Sequence, residues 1–452
     1  MKKSPLELVI EARENRWMSR KQSGQAFVTF SLNVPGYPKT SPLIEKAFLA
    51  TSKEALRFLS TFQQVKNPGF GLDEAGHFLF LPLGGMGLKA LTELKEKCAC
   101  FERNHQAGRL LDLDVYDESG IPISGNRRRQ CLLCDRSAIL CMMERSHATA
   151  DLRQSCEELL AEYLRKLENR KMIDRLTEFA VSALLTEASV HPKPGLVTRI
   201  SSGSHKDMDF FTYLSSTSAL APGYLRIAEA ALAGEWPENL HLSVIRCLGM
   251  TMEDNMFSAT SGINTQKGAI FLMGIAVYAS ALSFRETRRL DHKNIRSLIG
   301  KICRGLTAEL ESPGATHGQM AHEKFGITGA RGEVEAGFPL VFKEALPILS
   351  VCRNRGFDQD TACRLTLSAI IAENDDTNLY FRGGLKKALA VKKLAAAVVA
   401  LFRKKATLKQ LGRAFERLCD YCGKNNLSCG GSADLLAVSL FFESISELQN
   451  HR

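Results

Sequence analysis

The chain has 452 residues, 45% of them hydrophobic, and a formal net charge of +10. This composition excludes a disordered chain, and the length allows two or three domains of roughly 100–200 residues each. The basic excess indicates either a solvated surface or an anionic partner such as a nucleotide, a phosphate-rich substrate or an acidic protein. Charge alone does not decide between them.

Neither secretion nor membrane insertion is indicated. The N-terminal segment MKKSPLELVIEARENRW lacks the apolar core of a signal peptide. The longest uncharged apolar run, 269–284, has 16 residues and is shorter than the roughly 20 that span a bilayer, so it predicts a buried helix. Thirteen unevenly spaced cysteines without a secretion signal predict reduced thiols and a cytoplasmic protein.

The first 150 residues mix helical and strand patterns. Helices are predicted at 4–18 and 42–60, and strict alternation at 27–34 predicts a half-buried strand. Further strands are expected at 77–83 and 108–117. This part of the chain is therefore predicted to be an α+β domain.

From Asp151 onward, apolar residues follow helical spacing. The charged sequence KLENRKM predicts a break in the helix at 166–172, and Pro192 is expected to end the helix that follows. The rest has almost no strand alternation. The chain is therefore predicted to be multidomain, with an α+β domain at 1–170 and an all-α domain at 171–452.

Two aspartates alternate with leucines in the segment GRLLDLDVYD, 108–117. Alternate side chains of a strand share a face, so Asp112 and Asp114 are predicted to lie side by side, roughly 6–7 Å apart. Such a pair can ligate Mg²⁺ together with substrate phosphates, which would supply the positive charge that two adjacent carboxylates need. The alternative is a strand edge with two exposed acids.

Three cysteines and a histidine, Cys131, Cys134, Cys141 and His147, follow with the spacing C-x2-C-x6-C-x5-H. These are ligand types of structural zinc, although a zinc finger usually has a longer gap between its ligand pairs. The alternative is a set of free thiols beside a helix start. Upstream, NVPGYPK ends in Lys39, which suits either a phosphate contact or a plain rigid turn.

In this order, NVPGYPK, GRLLDLDV, RRQCLLC and CMMERSH resemble the apo-citrate lyase phosphoribosyl-dephospho-CoA transferase family over residues 5–165. The resemblance implies a nucleotidyltransferase-like fold in which Asp112 and Asp114 hold magnesium against a triphosphate. It also implies transfer of phosphoribosyl-dephospho-CoA to a serine of the citrate lyase acyl carrier subunit, with release of pyrophosphate. The candidates for phosphate contact are Arg109, Arg128 and Arg129.

Several segments rich in glycine and polar residues lie between the apolar helices of the second half. Each alone fits helix ends and caps, but together they are expected to converge on one pocket. They contain Glu187, Lys193, His205, Asp207, Asp209, Asn264, Lys267, His317, Arg331, Glu333, Asp376, Asn378, Arg382, Ser432 and Asp434.

The order PKPGLV, HKDMD, NTQKGAIF, THG, GARGEVEAGFP, DTNLYFRGG and SCGGSADLLA resembles the triphosphoribosyl-dephospho-CoA synthase family over residues 172–445. The resemblance implies an all-α fold that joins ATP to 3′-dephospho-CoA, releases adenine and keeps the triphosphate.

Loss of the base develops oxocarbenium character, which one carboxylate can stabilise while another takes the hydroxyl proton. The acidic candidates are Glu187, Glu333, Asp207, Asp209 and Asp376, with Asp207 and Asp209 also proposed to bind Mg²⁺. The phosphate candidates are Lys193, Lys267, Arg331 and Arg382, and the other substrate contacts are His205, Asn264, His317, Asn378, Ser432 and Asp434.

Four features depart from the two families. The loop before Cys131 is short, and Met143 stands where an arginine is common. Gln266 replaces a common histidine, and Cys429 replaces a common proline.

Taken together, the two resemblances predict a fused bifunctional enzyme that matures citrate lyase, with ATP, 3′-dephospho-CoA and the apo-carrier as partners. Magnesium is the expected metal, and zinc would be a second. Two alternatives remain open: a zinc-containing basic nucleic-acid binder and an inactive carrier-binding scaffold. The first is disfavoured because the basic run NRRRQ is brief and no aromatic-interleaved basic patch accompanies it.

Overall fold

The structure is a computed structural model that describes residues 3–22, 24–62, 67–125, 129–311 and 317–450. The chain divides into two compact units, Met1–Glu168 and Asn169–Arg452. Among the described residues, the sheet lies in the first unit and the second unit is helical. The architecture agrees with the predicted class of a multidomain protein whose α+β part precedes an all-α part.

The first unit builds its helices around a four-stranded antiparallel sheet of order β2-β3-β1-β4. Ser4 and Glu7 cap the first helix reciprocally, and Ser41 caps the second. The elements are α1 (Pro5–Lys21), β1 (Phe27–Leu32), α2 (Pro42–Ser60), β2 (Gly69–Asp73), β3 (Gly76–Pro82), α3 (Leu88–Asn104), β4 (Leu111–Tyr116), α4 (Ala138–Met143) and the first part of α5 (Thr149–Ser189).

The sheet has one apolar face and one polar face. Cross-strand partners share a face, so Phe30 and its neighbour Leu113 bury together in the core of this unit. On the opposite face, Ser31 pairs with Asp112 and Thr29 with Asp114. The polar face, which carries the two aspartates, is therefore a consequence of the same alternation that builds the core.

The three predicted strands and the two predicted helices of this unit are present, while β2 and α3 were not predicted from the sequence. The predicted break at 166–172 is wrong, because α5 runs unbroken from Thr149 to Ser189. Lysine, glutamate and arginine favour helices, and the ion pairs Glu162–Lys166 and Arg170–Asp174 join residues four apart around this stretch. The charges therefore stabilise the helix on its solvent side.

The second unit is a bundle of helices around one large hydrophobic core. Its elements are the rest of α5, then α6 (Phe210–Ala233), α7 (His241–Ala259), α8 (Lys267–Thr287), α9 (His292–Ile302), α10 (His317–Phe325), α11 (Gly329–Glu335), α12 (Leu346–Asn354), α13 (Gln359–Glu373), α14 (Thr377–Arg403), α15 (Leu408–Lys424) and α16 (Gly430–Asn450). Gly384 kinks α14 with a φ of 65°.

Helix α8 forms the centre of this bundle and packs against α6, α7, α9 and α16. Among the described residues it is the one helix long and apolar enough to cross a membrane, but 83% of its most apolar window is buried inside the protein. The expectation that residues 269–284 form a buried helix is therefore confirmed. A core position also explains why this helix has apolar residues on every side.

Candidate active sites

Strand β4 places Asp112 and Asp114 on the polar face of the sheet, and both are half-buried. Each has a basic partner. The Arg129 guanidinium contacts Asp112, and Nζ of Lys95 lies 2.9 Å from Oδ1 of Asp114. Each carboxylate of the pair therefore has a cationic group within ion-pair distance.

A third carboxylate, Glu102 of α3, lies beside this pair. The sequence did not predict it as a site residue. It is 4% exposed, and its Oε1 accepts a hydrogen bond of 2.7 Å from the backbone amide of Leu113. The same oxygen is 3.9 Å from the Arg129 guanidinium. Arg129 therefore lies between the carboxylates of Glu102 and Asp112.

Basic side chains from α1 also cover part of the polar face. The guanidinium groups of Arg16 and Arg20 lie over the ring of Phe78, at 4.0 Å and 4.9 Å from the ring centroid. Burial, together with the charge of the nearby Arg16, lowers the pKa of Arg20 to about 10. Burial and the charge of Asp114 raise the pKa of Tyr116 on the same face. This surface therefore combines carboxylates with cationic groups.

The three arginine candidates have different outcomes. Arg128 lies outside the described residues. Arg129 contacts Asp112, whereas Arg109 donates to the carbonyl oxygens of Cys131 and Leu132 at 3.3 Å and 3.4 Å. Arg109 also lines a cavity of 460 Å³ together with Arg103, Gln130 and Glu102. This cavity gives the first unit a concave, polar surface that includes Glu102.

The four candidate zinc ligands come together. One ligand atom from each of Cys131, Cys134, Cys141 and His147 lies within 4.8 Å of the others. Lys39, by contrast, donates to the carbonyl oxygen of Val34 at 2.6 Å and closes its own turn. Burial lowers the pKa of Lys39, and this contact favours the turn alternative for the NVPGYPK segment.

In the second unit, Glu187 at the end of α5 forms a buried ion pair with Lys193. Nζ of Lys193 lies 2.5 Å from Oε1 of Glu187 and 2.7 Å from its carbonyl oxygen. The two side chains are 8% and 1% exposed. A buried pair of this kind holds both groups in one geometry, because separating them would leave an uncompensated charge.

Asp376 joins the first turns of α14 and α16. Its Oδ1 accepts from the amides of Asn378 and Leu379 at 3.1 Å and 3.3 Å, and its Oδ2 accepts from the amide and hydroxyl of Ser432 at 2.7 Å and 2.9 Å. Asn374 donates to the same hydroxyl at 3.1 Å. Both oxygens of Asp376 are thus engaged in fixing two helix N-termini.

Asp434, two residues after Ser432 on α16, faces the first turn of α8. A Cβ atom placed on Gly268 would lie only 2.0 Å from its Oδ2. Burial raises the pKa of Asp434 well above its ordinary value, and the charges of Glu187 and Asp376 raise it further. Within the described part of the chain, no hydrogen-bond donor is paired with this carboxylate. Glu187, Asp376 and Asp434 therefore form an acidic centre where α5, α8, α14 and α16 meet.

Three of the predicted polar segments meet beside this centre. His205 shares a hydrogen bond of 3.0 Å with the Ser428 hydroxyl, just before α16. Arg382 donates to the carbonyl oxygen of Ser204 at 3.3 Å, and the Asn378 amide lies against Gly430. Burial and the charge of Arg382 lower the pKa of His205. These three segments therefore lie together, and convergence of the other segments on the same pocket stays a prediction.

Other candidates have local contacts of their own. Glu333 accepts a 2.7 Å hydrogen bond from the amide of Leu340, and burial raises its pKa to about 7. Arg331 lies 3.7 Å from Glu309. Asp209 caps α6, and hydrogen bonds from the Thr212 amide and hydroxyl lower its pKa.

The remaining candidates lie near the starts of helices or on the surface. Asp207 is largely exposed, 3.9 Å from His205 Nδ1. Lys267 pairs with Glu253 at 2.7 Å, while the Asn264 side chain accepts from the Lys267 amide at 3.3 Å. The backbone of His317 begins α10.

The positions that depart from the family patterns differ in environment. The Gln266 side chain is buried and accepts from the hydroxyls of Ser216 and Thr217 at 2.8 Å and 3.3 Å, immediately before α8. Cys429 is fully buried before α16, whereas Met143 is exposed at the end of α4. Gln266 therefore adjoins the acidic centre through the first turn of α8.

A cavity of 710 Å³ in the second unit is lined by Arg199 and Asp360 and by none of the predicted site residues. A smaller one of 350 Å³ includes Lys193 and the glycines of the following loop, Gly195 and Gly203. The position of the polar side chains favours the region of Lys193 as the substrate site, because charged and polar groups specify anionic ligands.

Comparisons with known proteins match the two units separately and together. Residues 173–452 match the CitG family, ATP:dephospho-CoA triphosphoribosyl transferase, and residues 5–163 match the CitX family, apo-citrate lyase phosphoribosyl-dephospho-CoA transferase. Protein CitXG of Haemophilus influenzae is 31% identical over 98% of this chain and 96% of its own length. Protein CitXG of Leuconostoc mesenteroides subsp. cremoris is 32% identical over 96% of this chain and 95% of its own.

A relative that matches only the second unit is the probable 2-(5''-triphosphoribosyl)-3'-dephosphocoenzyme-A synthase of Citrobacter koseri, 38% identical over 62% of this chain and 93% of its own length. Together, the two family matches and the nearly full-length relatives settle the organisation of the protein. The chain belongs to the CitXG family, in which a CitX unit is fused to a CitG unit, and it is a bifunctional triphosphoribosyl-dephospho-CoA synthase and apo-citrate lyase phosphoribosyl-dephospho-CoA transferase.

Proposed function

We propose that the domain at 171–452 makes 2′-(5″-triphosphoribosyl)-3′-dephospho-CoA and that the domain at 1–170 attaches it to the acyl carrier subunit of citrate lyase. The observation that carries this division is the separate acidic centre in each unit. One comprises Glu102, Asp112 and Asp114, and the other comprises Glu187, Asp376 and Asp434. We assign the protein to the cytoplasm, where its nucleotide substrates are found.

In the synthase reaction, the 2′-hydroxyl of 3′-dephospho-CoA attacks the ribose carbon of ATP that bears adenine. A carbon–oxygen bond forms, the carbon–nitrogen bond breaks, and adenine leaves with a proton while the triphosphate stays attached. Asp434 is the best-supported carboxylate for accepting the hydroxyl proton, because Asp376 is saturated with hydrogen bonds and Glu187 is paired with Lys193.

Phosphate binding is supported by the ends of the helices around this centre. The first turns of α8, α14 and α16 face it, and helix N-termini offer amide donors and a positive dipole end to anions. Arg382 and His205 lie at its margin. We propose that these groups hold the triphosphate still while the bond to adenine breaks.

In the transferase reaction, the carrier serine oxygen attacks the phosphorus atom nearest the ribose. The new phosphodiester bond forms as the bond to pyrophosphate breaks, and the serine proton passes to a base. Arg129 and Lys95 lie beside the aspartates and can neutralise the charge that develops on the departing phosphates.

The oxygen ligands of Asp112 and Asp114 on one strand face are of the type that Mg²⁺ prefers. Asp112 and Asp114 would hold the ion in the first unit, and Asp207 and Asp209 stay the proposed Mg²⁺ ligands in the second. When bound, Mg²⁺ would offset phosphate charge. The thiol and imidazole ligands of Cys131, Cys134, Cys141 and His147 suit Zn²⁺ instead.

The test is chromatography with mass detection after the full chain is mixed with ATP, Mg²⁺ and 3′-dephospho-CoA. We expect free adenine to appear in step with the triphosphoribosyl product, and added apo-carrier to gain the mass of phosphoribosyl-dephospho-CoA. Asp434→Asn should stop adenine release, and Asp112→Asn should stop carrier modification alone. The exposed sites Asp254→Asn and Asp151→Asn are matched controls for the two units. Absence of adenine under every condition would refute the proposal.

A further inference from the structure

The segment from Arg129 to His147 has almost no hydrophobic core. Among its residues, the only buried side chains are the thiols Cys131 and Cys141, while Met142 and Met143 are more than 70% exposed. A stretch of this length does not hold a fixed fold by apolar burial when it buries so little. Its ordered path therefore requires another source of stability.

The four ligand atoms lie within 4.8 Å of one another, which is close enough for one metal ion to contact them all. Sγ of Cys134 lies 3.4 Å from Sγ of Cys141 and 3.4 Å from Nε2 of His147. Zinc bonds of about 2.1–2.3 Å in a tetrahedron place ligand atoms roughly 3.5–3.8 Å apart. A disulfide would require the two sulfur atoms to be about 2.05 Å apart, so this spacing suits a metal better than a covalent bond.

The backbone around the ligands forms a compact knuckle. The Cys131 amide donates to the carbonyl oxygen of Arg136 at 2.8 Å, and the Ala138 amide donates to that of Arg129 at 2.8 Å. Gln130 and Ser137 form a β-bridge between these bonds. The first two ligands thus lie in a tight loop that is closed by the hydrogen bond between Arg129 and Ala138.

The same loop is fastened to the aspartate strand by two arginines. Arg129, two residues before the first ligand, contacts Asp112 and donates to the carbonyl oxygen of Leu111 at 3.2 Å. From the other side, Arg109 donates to the carbonyl oxygens of Cys131 and Leu132. An interaction that stabilises the loop therefore also stabilises the position of the Arg129 guanidinium.

We propose that Cys131, Cys134, Cys141 and His147 bind one structural Zn²⁺ and that this ion holds Arg129 in place against Asp112 for the transferase reaction. Four protein ligands leave no open coordination position, so the ion takes no part in bond making. Arg129 is then a residue whose placement depends on the metal, and the inference rests on the proposed role of the Asp112 face.

The first test measures the metal itself. Full-length protein purified under reducing conditions should contain one zinc per chain by mass spectrometry of metals. Cys134→Ser should lose it, whereas Cys100→Ser, an exposed cysteine in the same unit, should keep it. Replacement by Co²⁺ should give thiolate-to-cobalt charge-transfer absorption with tetrahedral d–d bands. Wild-type protein without zinc, or Cys134→Ser with full zinc content, would overturn the proposal.

The second test connects the ion to Arg129. Cys134→Ser should lower the rate of carrier modification about a hundredfold, as loss of one positioned donor does in other enzymes. Adenine release by the second unit should stay within about twofold, which shows that the second unit is folded. Arg129→Ala should lose carrier modification but keep its zinc, and Arg129→Lys should regain part of the rate.

The outcomes separate this inference from the proposed function. If wild-type protein modifies the carrier and Cys134→Ser does so equally well without zinc, the positioning role is wrong and the function stands. If wild-type protein contains zinc but never modifies the carrier, the proposed transferase function fails while the metal site stands.

Discussion

Individual carboxylates in the second unit differ in what surrounds them, and this decides what each can do. Asp376 accepts four hydrogen bonds, so its lone pairs are committed to two helix starts. Glu187 is neutralised by Lys193. Asp434 has a raised pKa and two negative neighbours, which is the pattern that enzymes use to obtain a base or a metal ligand.

The first prediction concerns the buried Glu187–Lys193 pair. Lys193→Met should destabilise the second unit by about 3–5 kcal/mol, because it leaves a buried carboxylate without its counter-charge. Adding Glu187→Gln should recover part of this loss. Denaturation followed by Trp236 fluorescence, in a Trp17→Phe background, reports on this unit because these are the chain's two tryptophans.

Exposed Lys206→Met serves as the control, and its effect should be within about 0.5 kcal/mol. If the loss of stability in the double variant equals the sum of the losses in Lys193→Met alone and Glu187→Gln alone, the two side chains do not interact in solution.

A second prediction concerns Glu333, whose pKa burial raises from 4.5 to about 7. The folded state holds the proton more tightly than the unfolded state, so stability falls as pH rises from about 4.5 to 7. Glu333→Gln keeps the acceptor for the Leu340 amide and removes the charge. Relative to wild type, it should therefore gain up to about 3 kcal/mol between pH 4 and pH 8.

The measurement is urea denaturation of both proteins at pH 4, 6 and 8 with the same Trp236 signal. The exposed Glu323→Gln should track wild type at every pH. A constant difference between Glu333→Gln and wild type across the range would mean that the carboxyl group is not desolvated.

At the scale of elements, the close approach of α16 to α8 depends on a glycine at the start of α8. Gly268→Ala should push Asp434 aside, because the new Cβ would lie 2.0 Å from its Oδ2. We expect adenine release to fall at least about tenfold, since a displaced catalytic group loses alignment. Carrier modification with supplied intermediate should not change, because it depends on the first unit.

Gly249→Ala on α7 is the matched control, since its Cβ would meet only one side-chain atom, at 3.9 Å. A normal rate of adenine release in Gly268→Ala would show that Asp434 can move without loss of activity, and Asp434 would then not be the base.

The elements that the sequence predicted are those with strong periodicity. Alternation in β1 and β4 predicted both the sheet and the side-by-side aspartates. Of the polar segments of the second half, those that contain His205, Arg382 and Ser432 lie together, and convergence of the others stays a prediction. The charged stretch at 166–172 misled the prediction because charges on a solvated helix face and charges in a loop look alike in one sequence.

The missed site residues lacked a local signal of function. Glu102 falls on the buried stripe of α3 with Leu91, Leu94 and Cys98. An acid on that stripe can be noticed only once the helix itself has been predicted. Lys95 is one lysine among many until β4 brings Asp114 within 2.9 Å. Such pairs depend on contacts between distant segments, which spacing along the chain does not reveal.

At the scale of the whole molecule, the chain combines two reactions whose residues do not overlap. The groups proposed for the transferase lie within the unit Met1–Glu168 and those proposed for the synthase within Asn169–Arg452. The product of one unit is the substrate of the other. Fusion keeps the two at a fixed stoichiometry, and we expect it to raise the effective concentration of the intermediate near the transferase.

This arrangement predicts that two defective chains can complement each other. Asp112→Asn retains the synthase and Asp434→Asn retains the transferase, so their mixture should modify the carrier although neither does so alone. The mixture should show a lag that wild type lacks at equal active-site concentration, because the intermediate must first accumulate in solution. Time courses of carrier mass at several protein concentrations measure the lag. A mixture that never modifies the carrier would show that the two reactions need one intact chain, and equal lags would show that fusion gives no local concentration advantage.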